Sequence, residues 1–200
     1  YRRLGFEALE NAAEDFALGS VGAGRGAMAG VLKGGLGSAS LALDDGLVVA
    51  ALVVANPIGS VYMPDGRTFW SWPWEIAGEF GGVRPTTVMD TSDPMPELSR
   101  LDSMGRLQAG ANTTLVAVAC NARLTTAECK RVAIMAQDGI ARAVRPAHLP
   151  FDGDTVFALA SGALPLVEGP RRQVQIGCIG AAAADCVARA IARGVFEARR

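Results

Sequence analysis

The sequence predicts a mixed α/β (α+β) fold in which β-sheets pack face to face with helices outside, and three observations predict it. Half of the 200 residues are hydrophobic, enough for a sizeable core and too many for a disordered chain. Two apolar runs, residues 47–55 and 114–121, have the length of buried strands. Strands do not alternate strictly with helices, so a doubly wound parallel sheet is a poorer fit. No internal repeat is visible, and the length suits one domain.

The elements follow in order. Residues 1–17 read as a helix, with Leu4, Ala8, Leu9, Ala12 and Phe16 at helical spacing and Glu7, Glu10 and Glu14 on another side. Gly19 ends it. Residues 19–40 are dense in glycine alternating with small apolar residues, a pattern of tight turns and close backbone approach. The strand at 47–55 stops at Asn56-Pro57, and Trp70, Trp72, Pro73 and Trp74 follow. Residues 75–110 have weak periodicity and carry Pro85, Pro94 and Pro96, which reads as a long surface excursion. After the strand at 114–121, Thr125-Thr126-Ala127-Glu128 is a capping box. The helix it opens has Cys129, Val132, Ala133, Ala136, Ile140 and Val144 on its apolar side and ends near Pro146. Residues 155–160 read as a third strand and 174–179 as a fourth. A terminal helix runs from 179 to 198, with Asp185, Arg189 and Arg193 at i, i+4, i+8 on its polar face.

Composition narrows the functional classes. Net charge is −1, and no stripe of basic residues interleaves with aromatics, which argues against a nucleic-acid partner. Arg189, Arg193, Arg199 and Arg200 read as the solvated face of the terminal helix. No apolar run reaches the length of a membrane span, and no signal peptide is visible, so no membrane partner is expected. The chain opens on Tyr1 rather than Met, inside an apparent helix, so a targeting signal at the true N-terminus is not observable. Cys120, Cys129, Cys178 and Cys186 lack C-x-x-C spacing and sit in apolar contexts, as buried free thiols of a reducing, cytoplasmic compartment do.

The step with the most chemical content is Asn112-Thr113. It follows Gly110-Ala111 and opens into a buried strand. A cut there makes Thr113 a new N-terminus, with a hydroxyl nucleophile and an α-amino base on one residue; the alternative is a turn entering a strand. Lys33, among glycines and aliphatic residues, is either a desolvated base or anchor or an exposed loop lysine. Asn56 at a strand end either donates its amide to an oxyanion or only terminates the strand. Asp152 and Asp154, in Asp152-Gly153-Asp154-Thr155, either orient a cationic group or form a turn. His148, the only histidine, is a loop histidine or a general base, and one histidine does not make a multi-histidine zinc site. Gly22-Ala23-Gly24-Arg25-Gly26-Ala27 matches a dinucleotide fingerprint, but it follows no clear strand and opens no good helix. No metal or cofactor is expected.

Taken together, these residues resemble the L-aminopeptidase/D-esterase family of autoprocessed peptidases, whose relatives include β-peptidyl aminopeptidases and endo-type 6-aminohexanoate-oligomer (nylon-oligomer) hydrolases. The matching stretches are Gly22-Ala23-Gly24 with Lys33-Gly34-Gly35-Leu36-Gly37, Val53-Val54-Ala55-Asn56-Pro57-Ile58-Gly59, Gly110-Ala111-Asn112-Thr113-Thr114 and Asp152-Gly153-Asp154-Thr155, in the family's order. The resemblance implies a four-layer helix–sheet–sheet–helix sandwich, like N-terminal-nucleophile hydrolases but with its own connectivity. It implies self-cleavage at Asn112–Thr113 into a large part, 1–112, and a small part, 113–200. Thr113 maps to the nucleophile, Asn56 to the oxyanion-stabilising Asn, Lys33 to the lysine of the nylon-oligomer branch, and Asp152 and Asp154 to the acidic pair. Many aminopeptidase members carry Ser where Thr113 stands; Asn-Thr-Thr, Asn-Pro and Asp-Gly-Asp-Thr lean toward the nylon-hydrolase branch. The expected function is hydrolysis of small peptide or amide substrates through an acyl-enzyme, by a homotetramer of processed protomers. The alternatives are an N-terminal-Thr acyltransferase and a non-catalytic relative of the fold. Family precursors also carry a sizeable region before residue 1, so a separate N-terminal segment is an expected partner.

Overall fold

A computed structural model describes residues 2–90, 92–100 and 112–199. Gly110-Ala111, part of the 75–110 excursion and Arg200 lie outside the described residues. The opening helix α1 (Arg2–Glu10) is shorter than the sequence predicts and buries none of its residues. Asn11 ends it by turning its own amide onto the Glu7 carbonyl at 2.6 Å, the local side-chain bond that draws Asn out of helices. The glycine-dense stretch forms a single 3₁₀ turn at Gly22–Gly24 and then a small hairpin, β1 (Met28–Ala29) with β2 (Leu32–Lys33). No helix follows the Gly22–Ala27 motif, so it lacks the helix N-terminus a dinucleotide would need.

The main sheet is mixed, in the order β3 (Gly35–Ala42), β4 (Val48–Ala55), β5 (Leu115–Ala122) and β6 (Thr155–Leu164). The pairs β3–β4 and β4–β5 are antiparallel, and β5–β6 is parallel. The parallel pair needs a crossover, which is α2 (Thr126–Ala143), opened by the predicted capping box with both reciprocal bonds present. The terminal helix α3 (Pro170–Glu197) lies along β3, β4 and α2. The predicted strand at 174–179 is its first turns instead. Val174 and Ile176 alternate as in a strand, but Pro170 sits at the first helical position and Ile176, Ile179 and Ala183 bury at helical spacing.

One face of the sheet meets the helices. Val49, Val53, Val116 and Val118 point into a core completed by Val132, Ile140, Ile179, Val187 and Ile191. Close contact depends on missing side chains: a Cβ on Gly37 would stand 1.8 Å from the Ala190 carbonyl oxygen of α3. By length and composition α3 could cross a membrane, a property the sequence reading missed, but 67% of its apolar window is buried in the fold, as in a core helix. The opposite face of the sheet is apolar and bare among the described residues: Leu52, Leu115, Phe157 and Leu159 are each 41–60% exposed.

The arginine stripe of the terminal helix is not a solvated face. Arg189 is buried; it pairs with Glu79 at 2.5 Å and donates to the Ser40 carbonyl at 2.8 Å. Arg193 reaches Glu79 at 3.6 Å, Asp185 pairs with Arg142, and Arg199 lies over the Tyr62 ring. Arg189, Arg193 and the exposed Arg199 fasten the irregular segment after β4 to the helix end, and Asp185 ties α3 to α2. The tryptophans of that segment are held likewise, with Arg145 over Trp70, Arg84 over Trp72 and Arg142 over Trp74. Of the thiols, Cys120 and Cys186 are buried as expected, whereas Cys129 is half-buried and Cys178 exposed.

Candidate active site

The sequence-predicted residues converge where β4 ends and β5 and β6 begin. Antiparallel pairing carries the end of β4 to the start of β5, and parallel pairing carries the start of β5 to the start of β6. Three segments distant in sequence therefore meet at one edge: Asn56-Pro57, Asn112-Thr113-Thr114 and Asp152-Gly153-Asp154. A bridge between Asn112 and Asp152 extends the β5–β6 ladder by one step.

The peptide between Asn112 and Thr113 is gripped on both sides. The Thr113 N–H donates to the Asn56 carbonyl at 3.1 Å, and the Gly153 N–H donates to the Asn112 carbonyl at 2.9 Å. The Thr113 hydroxyl donates to that same carbonyl oxygen at 2.6 Å. The hydroxyl and the carbonyl oxygen preceding it are thus in contact, and the same oxygen holds a backbone N–H, the kind of donor that stabilises developing negative charge. Asn112 and Thr114 are buried, and the Asn112 amide nitrogen and Thr114 hydroxyl have no partner among the described residues.

Gly153 explains the spacing of the acidic pair. A Cβ there would stand 2.5 Å from Thr113 Oγ1, so only glycine lets the turn close against the hydroxyl. The two carboxylates do different work. Asp154 accepts the Thr114 N–H on Oδ1 at 2.9 Å, while its Oδ2 lies 2.9 Å from His148 Nδ1. Asp152 accepts the N–H groups of Ile58 and Leu149, both at 3.2 Å, and so pins the turn to the Asn56-Pro57-Ile58 corner. Burial pushes the Asp152 carboxyl above its usual range and the charge of Asp154 adds to this, against the two backbone donors and the Arg100 guanidinium. The sequence reading has the acids orienting an amine or Lys33; in the structure Asp154 holds the Thr114 backbone and Asp152 holds the backbone of Ile58 and Leu149.

Asn56 turns its side-chain oxygen to the Met28 N–H at 2.9 Å, which fixes the orientation of the amide and leaves its NH₂ as the donor end. Lys33 is not desolvated. It is exposed, on β2 opposite Met28. Its glycine neighbours bury their own backbone, since a Cβ on Gly34 would stand 2.0 Å from the Ala55 oxygen, and the lysine side chain projects past them.

Two participants escape sequence reasoning. Gly153 reads as an ordinary turn residue, and Arg100 sits in an aperiodic stretch. The Arg100 guanidinium donates to the Pro57 carbonyl at 2.8 Å and the Asn56 carbonyl at 3.4 Å. Among the described residues no group of three or more His, Cys, Asp or Glu could hold a metal ion.

The Asn112–Thr113 amide is thus gripped at the edge of the sheet, beside the Thr113 hydroxyl. The chain belongs to peptidase family S58, which matches residues 3–200. An uncharacterized aminopeptidase of Mycobacterium tuberculosis (strain ATCC 25618 / H37Rv) is 43% identical over 205 residues, 98% of this chain and 57% of that protein. The 6-aminohexanoate-oligomer endohydrolase of Paenarthrobacter ureafaciens is 29% identical over 199 residues, 92% of this chain and 52% of that protein. The solved structure of the L-aminopeptidase D-Ala-esterase/amidase from Ochrobactrum anthropi, described as a variant of the Ntn-hydrolase fold, superposes with a TM-score of 0.62 at 23% identity, covering 96% of this chain and 48% of that one. The chain therefore spans about half the length of the relatives it matches, and its fold is of the Ntn-hydrolase kind. The described residues supply the four-stranded sheet, the small β1–β2 hairpin, and α2 and α3 on one side of the main sheet.

Proposed function

We propose that this chain carries the active site of an amide or peptide hydrolase whose nucleophile is Thr113, released as a new N-terminus by self-cleavage at Asn112–Thr113. The observation that carries this reading is the contact of the Thr113 hydroxyl with the Asn112 carbonyl, while Gly153 donates to the same oxygen. Thr113 Oγ attacks the Asn112 carbonyl carbon, and the Gly153 N–H steadies the oxyanion. The C–N bond then breaks to leave an ester and a free amine on Thr113. Water hydrolyses the ester, releasing the Asn112 carboxylate and restoring the hydroxyl.

In the processed protein the Thr113 amine takes the Oγ proton as Oγ attacks a substrate amide, and passes it to the leaving amine. The Asn56 NH₂ is the side-chain donor for the oxyanion, a role typically worth about 3–4 kcal/mol. Asp154 holds residue 114 and thereby the position of the nucleophile. Water then hydrolyses the acyl-enzyme. The names of the relatives, an aminopeptidase and an oligomer endohydrolase, support peptide-like or ω-amino acid oligomer amides as substrates. The bare apolar face of the sheet supports a second sheet supplied by polypeptide outside residues 1–200, and the resemblance supports a homotetramer.

Trapping tests the acyl-enzyme. The purified protein, with every polypeptide that accompanies it, is treated with a slowly deacylating aryl ester and its chains are weighed. The expected adduct lies on Thr113 in the fragment 113–200. A processed, active protein acylated at another residue contradicts the assignment.

A further inference from the structure

The reaction just described needs the Thr113 amine neutral, and two carboxylates crowd the turn beside it. Nearby negative charge favours the protonated form of an amine, which has no lone pair for a proton. Something at this edge has to oppose Asp152 and Asp154.

Arg100 is in position to do so. Its backbone N–H donates to the Ile58 carbonyl at 2.9 Å, which anchors the residue at the corner after β4. Its guanidinium donates to the Pro57 and Asn56 carbonyls. The Asn56 oxygen also accepts the Thr113 N–H at 3.1 Å. The nitrogen that becomes the α-amine and a half-buried guanidinium thus share one acceptor atom. Cleavage need not move that nitrogen far, because Thr114 stays fixed by Asp154 and by the Thr155 N–H on its carbonyl.

We propose that Arg100 is a positioning residue for catalysis: its charge, seated on the Asn56 carbonyl that also receives the Thr113 nitrogen, keeps the processed amine neutral and ready to act as base. A guanidinium suits this task because it stays protonated across the working pH range. Among the described residues, five charged or titratable groups come from the elements near this edge. Asp152 and Asp154 precede β6, His148 lies in the loop after α2, Lys33 stands exposed on β2, and Arg100 faces the end of β4. The carboxylates favour the ammonium; Arg100, and His148 when protonated, oppose it. Arg100 also draws Asp152 down against its burial.

This inference rests on self-cleavage at Asn112–Thr113, and the test separates the two. Wild type, Arg100→Gln and Arg100→Lys are first weighed intact. A wild-type protein that is not cut defeats the proposed function and leaves no amine for Arg100 to act on. In the cut proteins, the α-amine of Thr113 is labelled competitively with acetic anhydride across pH, and the peptide beginning at Thr113 is quantified by mass. Gln keeps a donor on the carbonyls without the charge; Lys keeps the charge without the fork. The expected result is a labelling midpoint about one pH unit higher in Arg100→Gln. The acidic limb of kcat/KM should move up with it, and Arg100→Lys should stay near wild type. Arg100→Met carries the same expectation as Gln if Gln fails to fold. An unchanged midpoint in the uncharged variants, or a shift in Lys as large as in Gln, overturns the proposal. So does a Lys variant that is cut while every uncharged one is not, since the charge would then act on the precursor.

Discussion

At the residue scale, the site depends on what may approach Thr113. The hydroxyl rests against a turn whose middle residue has no Cβ, and the 2.5 Å that a methyl would leave is not a distance two such atoms tolerate. Gly153→Ala should therefore move the hydroxyl off the Asn112 carbonyl. A displacement of this order costs about a hundredfold in rate. The appearance of the two chains on a denaturing gel over time measures it, and wild-type kinetics in the variant would remove Gly153 from the mechanism. Thr113, Asn56 and the acidic pair stand out in the sequence because each sits at a strand boundary, and the structure brings them to one edge. Gly153 does not, because its importance lies across the ladder in a residue 40 positions earlier. Arg100 was invisible for a related reason: nothing in an aperiodic segment says which carbonyl it meets. Of the two readings of Lys33, the structure shows the exposed one, because the glycines around it bury their backbone and not its ammonium.

At the element scale, periodicity and caps located β4, β5, β6 and α2 to within a few residues. They failed where two signals competed. The start of α3 alternates like a strand, and glycines at 177 and 180 dilute its helical face, yet Gly180 is what lets Met135 of α2 pack there. The polar stripe of the same helix was misjudged because ion pairs to Glu79 and Arg142, distant in sequence, bury it. The capping box of α2 makes a prediction with a defined sign. Arg172, at 2.7 Å, and the Thr125 N–H hold the Glu128 carboxyl down at about 2. A depressed carboxylate contributes stability above its unfolded pKa, near 4.3, and loses it as pH falls through the folded value. Urea unfolding at pH 6 and pH 3 should show wild type losing about 1 kcal/mol more than Glu128→Gln over that interval, after allowance for solvent screening of a surface pair. Equal losses would deny the pair any linked role.

At the scale of the whole molecule, the chain presents a sheet with one face sealed by α2 and α3 and the other apolar and open. The sequence reading reached face-to-face sheets from composition and strand order, and the Ntn-hydrolase likeness agrees with it. It could not tell which sheet these strands form, because alternation along a strand does not distinguish a helix from a second sheet as the covering layer. The central claim is that Asn112–Thr113 is a bond the molecule breaks by itself. Intact mass of the purified protein tests it most directly. The account predicts two chains, the smaller beginning at Thr113 with a free amine, and a single uncut chain for Thr113→Ala. A wild-type protein that stays in one piece while hydrolysing amides at full rate, or a Thr113→Ala protein that still splits there, would contradict it.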